Sequence, residues 1–104
     1  MSRRQPVLGI LGGGQLARML TLAAAPLGVR TYVVDGAADA CAGQVGPLLV
    51  ADYSDAQALA GFAGSVDVAT FDFENVPAEA AAELAARVPV YPAPQALADR
   101  KSVV

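Results

Sequence analysis

The chain has no histidine, no tryptophan and only one cysteine, Cys41, among its 104 residues. Without histidine, neither an imidazole general base nor a histidine-ligated metal site can form within it. A single cysteine excludes an internal disulfide and fits a reducing compartment, so we expect a cytoplasmic protein.

Positive charge and long apolar runs are also scarce. Seven Lys and Arg residues against ten Asp and Glu give a net charge of −3, which argues against nucleic acid as a partner. No stretch approaches the roughly 20 apolar residues of a membrane span, so we expect no membrane partner. The hydrophobic share of 55% and the length of 104 residues instead predict one small globular domain.

The most informative segment lies near the N-terminus. The apolar run Val7–Leu11 is followed by Gly12-Gly13-Gly14, and a helical pattern begins immediately afterwards. Gly12, Gly14 and Ala17 fit the Gly-x-Gly-x-x-Gly/Ala spacing of nucleotide-type α/β folds. Glycines permit a sharp turn and close approach of a ligand, and the helix N-terminus attracts an anion.

Strand and helix patterns alternate along the rest of the chain. This alternation predicts an α/β, Rossmann-like, three-layer domain with a parallel sheet, whose ligand edge carries the loops that follow the strands. The predicted strands are Pro6–Leu11, Val29–Asp35, Pro47–Ala51, Val66–Phe73 and Val88–Tyr91. The predicted helices are Gln15–Leu27, a segment capped by Ser54 or Asp55 that runs through Gly61, Pro77–Arg87 and Pro94–Arg100.

Two acidic positions at this edge are candidate ligand contacts. Asp35 ends the second predicted strand, where dinucleotide-binding enzymes hold a ribose hydroxyl, but it could equally close the turn before Gly36. Glu74 follows the fourth strand, and its carboxylate could accept hydrogen bonds from a ligand. Tyr53, after the third strand, is interpreted as a packing residue with its hydroxyl in water.

Two motifs together resemble one family. The segments Gly9–Leu20 and Thr70–Pro77, supported by Val50–Asp55 and Pro92–Arg100, are similar to 5-(carboxyamino)imidazole ribonucleotide synthase. That family consists of ATP-grasp ligases of purine biosynthesis, and the resemblance extends from about Val7 to Arg100. It implies a pre-ATP-grasp domain and an ATP-dependent carbon–nitrogen ligase activity.

The reaction that the resemblance implies joins bicarbonate to the exocyclic amine of 5-aminoimidazole ribonucleotide. ATP phosphorylates bicarbonate to carboxyphosphate, Mg²⁺ bridges the phosphates, and the amine captures the carbon dioxide released. The resemblance also implies a homodimer. Carried over to this sequence, Gly14, Gln15 and Leu16 would line the ribonucleotide pocket, Glu74 would contact its sugar or ring, and Arg100 would lie at the ATP site.

The sequence departs from the family in two ways. Asp72 stands where glutamate is frequent, and the chain ends at Val104, before the domains that hold the family's metal ligands and most ATP contacts. We therefore expect residues 1–104 to be a single N-terminal domain, a fragment inactive alone, with no catalytic residue or metal ligand of its own. The alternatives are an NAD-binding Rossmann module and a non-enzymatic nucleotide-binding domain.

Overall fold

The computed structural model describes residues 5–72 and 76–91, which form a parallel four-stranded sheet packed against helices. The alternation of strands and helices confirms the predicted α/β, Rossmann-like class. The strands are β1 (Val7–Leu11), β2 (Arg30–Asp35), β3 (Leu48–Val50) and β4 (Val68–Phe71). The helices are α1 (Gln15–Ala24), α2 (Ala56–Gly64) and α3 (Ala78–Ala85), with short 3₁₀ turns at Ala25–Leu27 and Cys41–Gln44.

The strand order is β3-β2-β1-β4, and every pairing is parallel. The chain moves outward from β1 to β3 and then crosses to the other side of β1 to form β4. The order therefore reverses between β1 and β4, and in open parallel sheets ligands bind outside the carboxyl ends of the strands at this reversal. The glycine turn after β1 and the segment after β4 meet there.

Alternate side chains of β1 and β2 enter separate cores on the two faces of the sheet. Leu11 and Val34 belong to the larger core, which the side chains of α2 and α3 complete. Ile10 and Val33 belong to a smaller core that includes Ala17 of α1. Both central strands thus contribute apolar side chains to both faces, as is typical of strands in a covered parallel sheet.

Several predicted boundaries need correction. The helix α2 does not end at Gly61 but continues to Gly64, with the Asp55 side chain accepting a cap hydrogen bond from the amide of Ala58. An isolated glycine lowers helix propensity by about 1 kcal/mol, which the burial of Leu59 and Phe62 outweighs.

At the fourth strand, β4 is shorter than the predicted Val66–Phe73. The predicted fifth strand is reduced to one bridge between Val90 and Ala69. Residues 92–104, including the predicted helix Pro94–Arg100, lie outside the described residues.

The outer face of α1 is unusually apolar. Leu16 and Leu22 are about half exposed, and Met19 is 62% exposed. Leu27, in the 3₁₀ turn that follows, is 77% exposed. Among the described residues, no helix has the length and hydropathy required to cross a membrane.

Candidate functional site

The first two residues of the glycine turn between β1 and α1, Gly12 and Gly13, fix its backbone conformation. Gly12 has a φ of 104°, a conformation that residues with a side chain rarely adopt, and its amide donates a 2.8 Å hydrogen bond to the carbonyl of Val34. The carbonyl of Gly13 accepts a 2.9 Å hydrogen bond from the amide of Ala42. The first part of the turn is therefore attached to β2 and to the 3₁₀ turn at Cys41–Gln44.

Asp35, at the end of β2, accepts hydrogen bonds from three donors of the chain itself. Its Oδ2 accepts from the amide of Gly13 at 2.7 Å and from the hydroxyl of Tyr53 at 3.3 Å, and its Oδ1 accepts from the amide of Ala37 at 2.9 Å. The structure thus supports the turn-closing interpretation of Asp35. Its carboxylate is satisfied without a ribose hydroxyl.

Tyr53 lies half-buried between two carboxylates. Partial burial raises the pKa of its phenol well above the ordinary value, and the negative charge of Asp35, the hydrogen bond to that carboxylate and the charge of Asp72 raise it further. The phenol consequently remains protonated at neutral pH and can act as a hydrogen-bond donor.

Gly14, Gln15 and Leu16, by contrast, face outward. A Cβ at Gly14 would meet no atom within 4 Å, and all three residues are exposed. Gly14 is the N-cap of α1 and provides no side-chain cap, so the first amides of this helix lack the cap that a serine or aspartate would supply. The structure therefore brings these three predicted site residues together on an open surface.

Two described residues after β4, Asp72 and Val76, lie against the same turn. A Cβ at Gly12 would lie 3.1 Å from the Cβ of Asp72 and 3.4 Å from Cγ2 of Val76. Glu74, a predicted substrate contact, lies between these two residues but outside the described part of the chain, as does the predicted ATP-site residue Arg100. Asp72 and Val76 thus lie at the same edge of the sheet as the glycine turn.

A separate cleft of about 320 Å³ lies at the opposite, amino-terminal edge of the sheet. Its buried hydroxyls, on Thr21 and Thr31, are hydrogen-bonded to each other at 3.1 Å. Because these polar groups satisfy each other and lie far from the glycine turn, this cleft does not belong to the candidate site.

The fold and the turn define a nucleotide-type α/β domain with an open ligand edge between β1 and β4. Residues 6–100 match the model of the ribonucleotide synthetase preATP-grasp domain. The chain therefore belongs to the ribonucleotide synthetase preATP-grasp family, which confirms the family resemblance seen in the sequence.

Two similar proteins are a synthase and a synthetase of N5-carboxyaminoimidazole ribonucleotide. The N5-carboxyaminoimidazole ribonucleotide synthase of Pseudomonas aeruginosa is 50% identical over 90 residues, which cover 86% of this chain and 25% of that protein. The crystal structure of the corresponding synthetase from Thermus thermophilus has a TM-score of 0.84 and 52% identity, and the match covers 88% of this chain and 25% of that one.

A more distant neighbour carries ligands. The Aspergillus clavatus N5-carboxyaminoimidazole synthase, solved with ADP and 5-aminoimidazole ribonucleotide, has a TM-score of 0.77 and 32% identity, with 91% of this chain and 26% of that one covered. The chain thus spans about a quarter of the length of the relatives it matches.

Sequence reasoning missed the role of Tyr53. Its hydroxyl donates a hydrogen bond to the carboxylate of Asp35, whereas the sequence had suggested a hydroxyl in water. The sequence did contain a signal for this contact. Asp35 ends one parallel strand and Tyr53 follows another, and the carboxyl ends of such strands meet at one edge of the sheet.

Proposed function

We propose that this chain forms one wall of the 5-aminoimidazole ribonucleotide site of an ATP-dependent ligase. The whole enzyme would carboxylate that ribonucleotide with bicarbonate to give 5-(carboxyamino)imidazole ribonucleotide, a step in the synthesis of IMP. The names of the Pseudomonas and Thermus relatives and the Aspergillus complex with the ribonucleotide support this proposal. Residues 1–104 would act as its single N-terminal domain.

The observation that carries the proposal is the open space at Gly14. Its φ of −80° is ordinary for any residue, and a Cβ there would meet no atom within 4 Å, so neither the backbone nor packing requires glycine. The lack of a side chain at Gly14 matters most if a ligand must come close to the backbone. Gln15 supplies an amide side chain beside it, and Leu16 supplies apolar surface for a ring.

The proposal also includes Glu74 and Arg100, which lie outside the described part of the chain. Support for Glu74 comes from its described neighbours, because Asp72 and Val76 both lie against Gly12. A carboxylate in this position suits hydroxyl and amine donors such as those of a ribose and an aminoimidazole. Arg100 is assigned to the ATP site on the family resemblance alone.

The metal and the phosphate chemistry belong, in this proposal, to other parts of the whole enzyme. Among the described residues, no group of three or more acidic or thiol side chains could hold a metal ion. In this proposal, ATP, Mg²⁺ and bicarbonate would be held mainly by the regions of the enzyme that this chain does not span. The whole enzyme would be a cytoplasmic homodimer.

The binding proposal is tested by titrating ¹⁵N-labelled chain with 5-aminoimidazole ribonucleotide and following amide NMR shifts. We expect saturable shifts at Gly14, Gln15 and Leu16. Gln15→Ala should weaken the affinity for the ribonucleotide about fivefold or more, because one hydrogen bond is lost. The control Gln57→Ala, an exposed glutamine on α2, should bind like the parent. Shifts confined to other surfaces, or none in the parent chain, would contradict the proposal.

A further inference from the structure

A small hydrogen-bond network holds the glycine turn, and its members come from the ends of two other strands. Asp35 is the last residue of β2 and contributes the carboxylate, while Tyr53 follows β3 and contributes the hydroxyl. The Gly13 hydrogen bond to Asp35, at 2.7 Å, is short and charge-assisted, the stronger class of hydrogen bond in proteins. Three consecutive loops at the carboxyl edge are joined through one carboxylate.

Packing around Gly13 leaves little freedom for this network to rearrange. A Cβ at Gly13 would lie 3.0 Å from the Cβ of Ala40 and 3.3 Å from Oδ2 of Asp35. The Asp35 carboxylate therefore lies directly against the turn, where even a methyl group would disturb it. Its Oδ1 is at the same time bonded to the amide of Ala37, which fixes its orientation.

The network uses the inward-facing groups of the turn and leaves the outward-facing ones open. The amides of Gly12 and Gly13 are both hydrogen-bonded within the chain. Gly14, the next residue, is exposed and has open space around its Cα. The direction in which Gly14 and the start of α1 face is thus set by the two residues that precede them.

We propose that Asp35 and Tyr53 are positioning residues that hold the glycine turn in the orientation required for ribonucleotide binding at Gly14, Gln15 and Leu16. The inference rests on the proposed function, since it assigns these two residues to the same site. Neither touches the ligand. Asp35 acts through Gly13, and Tyr53 acts through Asp35.

The first test compares ribonucleotide affinity in single variants by the same NMR titration. Tyr53→Phe removes only the hydroxyl and should weaken binding about threefold to fivefold, and Asp35→Asn should weaken it about tenfold, as expected for a neutral and a charge-assisted hydrogen bond. The matched controls are Tyr91→Phe and Asp39→Asn, both exposed, and each should bind like the parent.

The second test separates positioning from general loss of stability. Hydrogen exchange of the Gly13 amide should accelerate about tenfold in Asp35→Asn because its acceptor is weakened, while exchange of the Val33 amide, in the centre of β2, should stay within about twofold of the parent. A merely structural role would accelerate both amides together.

The outcomes distinguish the two proposals. If the parent binds the ribonucleotide and both variants bind it equally well, the positioning role is wrong while the proposed site stands. Unchanged Gly13 exchange in Asp35→Asn would likewise overturn it. If the parent itself shows no shifts, the binding proposal fails first, and the positioning role fails with it.

Discussion

Gly12 lies against Asp72, and a Cβ at Gly12 would come within 3.1 Å of the Cβ of that aspartate. The contact joins the turn after β1 to the end of β4, where the amide of Asp72 also donates a 3.0 Å hydrogen bond to the carbonyl of Leu11. The glycine turn and the end of β4 therefore contact each other through backbone atoms and the Cβ of Asp72. Gly14, two residues further on, has no such neighbour.

This difference predicts that two similar substitutions destabilise the fold to different extents. Gly12→Ala should destabilise the fold by about 2 kcal/mol, because it forces an alanine to a φ of 104° and crowds Asp72. Gly14→Ala should cost less, about 1 kcal/mol or below, since nothing surrounds the new methyl group and only the preference for glycine over alanine at the N-cap of α1 is lost. Urea unfolding followed by circular dichroism measures both.

The same pair of variants also tests the function of the turn. Gly14→Ala should reduce ribonucleotide affinity while lowering the urea midpoint much less than Gly12→Ala does. Equal loss of stability in both variants would show that Gly14 is needed for the shape of the turn, and it would remove the main support for a ligand at this position.

A second prediction concerns Gly9, in the middle of β1. A Cβ there would lie 2.8 Å from Cζ of Phe62 and 2.9 Å from Cγ1 of Val66. Gly9→Ala should therefore overpack the larger core and destabilise the chain by about 1–3 kcal/mol. The control is Gly61→Ala, at an exposed helical position with no atom within 4 Å, which should stabilise by about 0.5–1 kcal/mol. A destabilising Gly61→Ala would argue that α2 ends at Gly61.

The pattern of glycines and apolar runs was sufficient to predict the sheet and the turn, because these depend on local chemistry. The start of α1 at Gln15 follows from the glycines before it and from the helical spacing of its apolar residues. The end of α2 was predicted wrongly because Gly61 weakens a helix only slightly, and burial of Phe62 decides the outcome.

The hydrogen bond between Tyr53 and Asp35 could not be predicted from spacing alone. The two residues are 18 positions apart, and their contact depends on the register that pairs Asp35 with Val50. A shift of one residue in that register would alter the position of Tyr53 relative to the carboxylate. The placement of these loops along one edge was predictable, but which side chains touch was not. Glu74 and Arg100 stay predictions.

The third prediction follows from the raised pKa of Tyr53. A phenol whose pKa is higher in the folded state than its ordinary 10.0 stabilises the fold below that pH, and this contribution is lost as the pH rises further. Unfolding free energy should consequently fall above about pH 10, and less steeply in Tyr53→Phe, which cannot ionise. Tyr91→Phe, at an exposed position, should retain the slope of the parent. Identical slopes in the parent and Tyr53→Phe would contradict the buried placement.

The fourth prediction concerns the apolar face formed by Leu16, Met19, Leu22 and Leu27. An exposed stripe of this kind should bind an apolar dye such as anilinonaphthalene sulfonate. Met19→Lys and Leu22→Lys should reduce the fluorescence while changing stability by about 0.5 kcal/mol or less, because both side chains are more than half exposed. Gln57→Lys, on α2, should leave the fluorescence unchanged. A parent chain that binds no dye would contradict an accessible apolar face.

The last prediction is that this chain alone does not turn over ATP. Given ATP, Mg²⁺, bicarbonate and 5-aminoimidazole ribonucleotide, it should release no ADP above background, because it spans only about a quarter of the length of its relatives. The Pseudomonas aeruginosa relative, assayed in parallel, serves as the positive control. Release of ADP that rises with ribonucleotide concentration would show that residues 1–104 hold phosphate-transfer machinery, and the division of labour proposed for the whole enzyme would then be wrong.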